Sequence, residues 1–141
     1  MIRWVFMGVE NMIKAVRFSV LPWLVAGAAA AGEADVLKVE SWRTGGTEYR
    51  FAVTVQHGDT GWDHYADRWE VVSPDGEVLA TRVLAHPHEQ EQPFTRSLSG
   101  VVLPASLTEV VVRAHDSVHG FGGAELTVPL GDAEHVQVPV D

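Results

Sequence analysis

Glu48-Tyr49-Arg50-Phe51-Ala52-Val53-Thr54-Val55-Gln56-His57 puts Tyr49, Phe51, Val53, Val55 and His57 on one face of an extended chain. Arg50, Thr54 and Gln56 fall on the other face. Period-two alternation of this kind is the mark of a half-buried strand, and here the inward row ends in a histidine. Similar runs recur at residues 36–43, 68–72, 77–85, 94–102, 109–115 and 124–130, and no window carries a helical stripe. Seven short strands separated by turn residues predict an all-β fold. The expected form is a seven-stranded, immunoglobulin- or fibronectin-III-like antiparallel β-sandwich.

The connections alternate in character. Gly45-Gly46, Ser73-Pro74-Asp75-Gly76 and Leu103-Pro104-Ala105-Ser106 are short turn chemistry without histidine. The stretches 58–67, 86–93 and 116–123 are longer, and they contain or adjoin His57, His64, His86, His88, His115 and His119. If the strands run up and down, these three loops share one end of the sandwich, the end that carries binding loops in antibody variable domains. His135, the seventh histidine, lies past the last predicted strand, toward the opposite end or in a tail.

Ahead of the strands, Lys14 and Arg17 precede an apolar run over 18–31, and Ala28-Ala29-Ala30-Ala31-Gly32-Glu33-Ala34 follows as a small-residue zone. A basic region, an apolar region and small residues together predict a signal peptide over 1–34, cleaved near 31–34, with Met12 as an alternative start. The run is shorter than the roughly 20 residues a spanning helix needs, so no stable membrane span is expected after cleavage. Residues 35–141 then form one domain, periplasmic or secreted.

The whole chain carries ten Lys and Arg against nineteen Asp and Glu, a formal net charge of −9. Removing 1–34 takes away three basic and two acidic residues, which makes the charge −10. Such a domain repels nucleic acid and attracts cations. Cysteine is absent and all three methionines fall before residue 35, so thiolate catalysis and the soft sulfur ligands of Cu(I) are excluded. With no cysteine near the cleavage zone, no lipid attachment is expected there.

Histidine is the commonest protein metal ligand and titrates near neutrality. In His86-Pro87-His88 an extended backbone would point both imidazoles the same way, about 6.5–7 Å apart. The plainer reading is a loop with two exposed histidines. His115-Asp116-Ser117-Val118-His119 runs into Gly120-Phe121-Gly122-Gly123, where glycines allow a sharp turn or a close approach. It reads equally as a polar hairpin loop. His57 should be partly buried, and a carbonyl or carboxylate is its commoner partner. Trp69 is expected to fill the core. No P-loop, Gly-x-Ser-x-Gly or His-Glu-x-x-His is present.

The runs Gly61-Trp62-Asp63-His64-Tyr65, His86-Pro87-His88, Glu91-Gln92-Pro93-Phe94-Thr95-Arg96 and His115-Asp116-Ser117-Val118-His119-Gly120 resemble a group of secreted bacterial single-domain proteins. The resemblance implies export and one β-sandwich domain. It implies no activity and no site residues.

The leading expectation is a metal-binding protein with His57, His64, His86, His88, His115 and His119 as ligands. Asp63 and Asp116 would support them by hydrogen bonds. Imidazole with optional carboxylate suits Zn(II), Cu(II) or Ni(II), with zinc or copper first. The alternative is a protein- or glycan-binding module anchored by Trp62, Tyr65 and Phe121, with pH-sensitive binding. A metallohydrolase or oxygenase ranks third, so the chain reads more as a binding protein than as an enzyme, with the question of activity open.

Overall fold

The structure is a computed structural model that describes residues 32–141. The expected leader therefore lies, for 1–31, outside the described residues. Eight strands follow: β1 (Asp35–Gly45), β2 (Glu48–Gln56), β3 (Ala66–Val72), β4 (Val78–Val83), β5 (Phe94–Val102), β6 (Glu109–Asp116), β7 (Leu126–Pro129) and β8 (His135–Pro139). They form two four-stranded antiparallel sheets, ordered β5-β2-β1-β8 and β4-β3-β6-β7. The described residues include no helix long and apolar enough to cross a membrane.

Alternation sets what is buried. In β2, Tyr49, Phe51, Val53 and Val55 point into the core, and in β6 Val110, Val112 and Ala114 do so. Trp69 and Val71 of β3 close the centre and are fully buried. In β1 a register irregularity between Val36 and Lys38 changes the phase, so Val36, Val39 and Ser41 all face inward.

The eighth strand departs from the seven expected. It is five residues long, only Val136 and Val138 are half-buried, and it ends in proline. An alternation that short is weak in the sequence, and its partner β1 is far away in the chain. Pairing of Trp42 with His135 puts the seventh histidine at the short-turn end, stacked on Trp42 with ring centroids 4.9 Å apart.

Strand directions bring the loops 57–65, 84–93 and 117–125 to the opposite end. Asp35 pairs with Gln56, Val55 with Phe94 and Ala66 with Asp116, all at that end. Two inward rows therefore run to the same place. The β2 row continues into His57, 3% exposed, and the β6 row ends in Asp116, fully buried.

Candidate functional site

Asp116 opens a tight hairpin. Its N–H donates to the Gly120 carbonyl at 3.0 Å and the Gly120 N–H returns to the Asp116 carbonyl at 3.1 Å. Gly120 has φ +75°, which a glycine adopts at little cost. Within the turn the Asp116 Oδ1 accepts the N–H groups of Val118 at 2.9 Å and His119 at 2.7 Å. This is the local bonding that aspartate favours at turns. It folds His119 back over its own carboxylate.

A second loop is stitched to the first. Ser117 N–H donates to the Tyr65 carbonyl at 2.9 Å, and Tyr65 N–H donates to Ser117 Oγ at 3.1 Å. His64 is thereby held against His119. His64 Nε2 lies 3.1 Å from Asp116 Oδ1 and 3.2 Å from His119 Nδ1, and His119 Nδ1 lies 3.2 Å from Asp116 Oδ1. Three donor atoms make a nearly equilateral triangle. A tetrahedral ion with bonds of about 2.0–2.1 Å has ligand–ligand edges of about 3.3–3.4 Å, so the triangle is close to one face of such a site.

His57 adds a fourth donor. His57, His64 and Asp116 each offer an atom within 4.8 Å of the others, and the His57 and His64 rings meet edge to face at 4.7 Å. His57 Nδ1 sits 2.5 Å from Asp59 Oδ1, and its Nε2 sits 2.8 Å from the Gly32 carbonyl. Both ring nitrogens face oxygen atoms, the Asp59 carboxylate on one side and the Gly32 carbonyl on the other. Asp59 is buried and also accepts the N–H of Ala66 at 3.0 Å and of His88 at 2.7 Å. A carboxylate on the far nitrogen of an imidazole is the usual support of a metal-binding histidine.

The electrostatics centre on Asp116. Its Oδ2 is buried and has no hydrogen-bond partner among the described residues. Burial acts to raise its carboxyl. The N–H groups of His119 and Val118, with His57 and His119 close by, outweigh that and hold it below the ordinary aspartate range. A buried, ionised carboxylate with an open oxygen is a site that a cation satisfies.

The other expected ligands lie apart from this group. His86 and His88 meet at a tilt with ring centroids 4.5 Å apart, and His88 lies flat on Phe94 at 4.0 Å. Arg96 points a guanidinium nitrogen at His88 Nε2 at 3.0 Å, which takes up the lone pair a metal would need. Burial first, then Arg96 and His86, push His88 below the ordinary histidine range. His115 is on the outward row of β6, where its Nδ1 pairs with Asp67 at 2.6 Å and its ring meets Phe121 at 4.8 Å. Asp63 is exposed and, among the described residues, shares no hydrogen bond or ion pair with the cluster.

The expected anchors also separate. Trp62, 67% exposed, packs edge to face on Tyr65 beside the cluster at 5.5 Å. Phe121 instead lies under the Arg113 guanidinium at 4.0 Å. Asp59 and Gly32 join the expected site residues, Gly32 from within the small-residue zone of the expected leader. Asp59 stands two residues after a histidine predicted to be buried, and that spacing was the available signal.

Comparison with known proteins adds one relative. A protein of Halomicrobium mukohataei named "Putative lipoprotein" is 44% identical over 96 residues, which are 68% of this chain and 47% of that protein. The chain spans about half the length of that relative. No protein-family model and no solved structure matches.

Proposed function

We propose that this is an exported domain that binds a divalent transition metal, Zn(II) or Cu(II), at the loop end of its sandwich. His64, His119 and Asp116 would be ligands and His57 the fourth, oriented by Asp59. The observation that carries the reading is the triangle of donor atoms on a buried carboxylate whose second oxygen has no partner among the described residues. Three imidazoles and a carboxylate suit these metals and exclude an all-oxygen calcium site. A role in metal transfer, buffering or sensing at the cell exterior fits the leader-like N-terminal sequence and the relative's name. The order β5-β2-β1 opposite β4-β3-β6-β7 supports an immunoglobulin-like sandwich extended by β8.

The test uses the untagged chain from Gly32 onward. Zn(II) and Cu(II) affinities are measured by chelator competition, and melting is followed with and without EDTA. One ion per chain and a higher melting temperature when loaded support the proposal, because a ligand of the native state stabilises it. No affinity tighter than micromolar for either metal overturns it. A second reading, a protein- or glycan-binding module, is favoured by the exposed Trp62 on Tyr65. In that case Trp62→Ala would abolish partner binding and leave metal affinity unchanged.

A further inference from the structure

The first described residues are built into the fold. Ala34 is 1% exposed and belongs to the core. Val36 N–H donates to the Ala124 carbonyl at 2.8 Å, and Ala124 N–H donates to Asp35 Oδ1 at 2.7 Å. A Cβ on Gly123 would stand 2.0 Å from the Ala34 carbonyl oxygen, and one on Gly122 would stand 2.8 Å from Glu33 Cγ. Residues 33–35 are therefore pressed onto the segment that follows His119, and Gly32 reaches His57 with its carbonyl at 2.8 Å. Directly before it the sequence reads Ala28-Ala29-Ala30-Ala31, the small side chains found at leader cleavage sites. Cutting after Ala34 would strip a core residue and the acceptor of His57. Cutting after Ala31 keeps both.

We propose that the leader is cut at the Ala31–Gly32 bond and that the α-amine freed on Gly32 joins His57 as a ligand of the metal site. This rests on the metal reading above. Hydrolysis adds one water across the peptide bond: Ala31 leaves as a carboxylate and Gly32 gains the amine. Bond lengths hold that nitrogen within about 4 Å of its own carbonyl oxygen. An ion between His57 Nε2 and the Gly32 carbonyl oxygen, 2.8 Å apart, would meet both and expand its coordination beyond the four side-chain donors. Amine and carbonyl of one residue close a five-membered chelate ring, and no side chain of Gly32 obstructs it.

The exported protein is purified and its first residues sequenced; Gly-Glu-Ala-Asp is expected, and any other start overturns the proposal. Zn(II) affinity is then compared for the chain from Gly32 with a free amine, the same chain Nα-acetylated, and a chain that keeps Ala31. Melting in EDTA checks that all three are equally folded. The blocked and extended forms should bind more weakly by roughly tenfold or more, at least the effect of losing a supporting partner. Equal affinity in all three overturns the amine's role and leaves the metal site standing. Binding by none of them overturns both readings.

Discussion

Asp116 supports both the turn and the proposed site, and two substitutions separate these roles. Asp116→Ala removes the acceptor of the Val118 and His119 N–H groups, bonded at 2.9 and 2.7 Å. Each donor left without a partner in a buried setting costs about 1–3 kcal/mol. Both donors are partly buried, so the lower half of that range applies and the sum is about 2–4 kcal/mol. For a domain of this size that corresponds to a fall in melting temperature of about 10–20 °C. Asp116→Asn keeps one oxygen for the same two donors and loses only the charge, so its metal-free melting temperature should fall far less. The amide is a poor metal ligand, however, and Zn(II) affinity should drop on the order of 100-fold or more, beyond the 10–100-fold of supporting partners. Thermal unfolding in EDTA and chelator competition give the two readouts. Parental affinity in Asp116→Asn would refute Asp116 as a ligand. Parental stability in Asp116→Ala would refute the role of the turn.

Replacing His115 or His135 with Ala should leave Zn(II) affinity unchanged, because their rings pair with Asp67 and stack on Trp42 away from the cluster. Replacing His64 with Ala should abolish it in the same titration. Metal-free stability should decrease as pH falls below about 6.5, because the native state holds His88 below its ordinary value while the unfolded chain takes up the proton. The loss levels off once pH is under the native value, and His88→Gln, followed by melting against pH, should reduce the slope. Gly123→Ala drives a Cβ to 2.0 Å from the Ala34 carbonyl and should lower the melting temperature. Gly45→Ala, with nothing within 4 Å, is the control and should melt near the parent.

The sandwich was readable because its strands alternate cleanly: Tyr49, Phe51, Val53 and Val55 were assigned inward and are inward. The same parity, carried one residue further along β6, would have turned Asp116 inward and His115 outward. Residue type weighted over register instead makes His115 an expected ligand and Asp116 its supporter. What parity cannot supply is the path of a loop. His86 and His88 reach the same end as His64 and His119, yet Arg96 and Phe94 hold His88 apart from them, with His86 against it. The Ser117–Tyr65 stitch that joins the two other loops uses the backbone N–H and carbonyl of Tyr65, and backbone partners leave no trace in side-chain pattern. β8 was missed because it is short and pairs with a strand almost a hundred residues earlier.

The pairing of β8 with β1 has a practical corollary. β8 runs from Trp42 at the short-turn end back toward Lys38, and Val140 N–H reaches the Leu37 carbonyl. Both ends of the described domain therefore emerge beside the histidine loops. A hexahistidine tag on either one would hang a competing chelator over the cluster and scavenge the ion being assayed. The hairpin at 73–77, at the far end of the two sheets, is the better place for an affinity handle or a surface attachment.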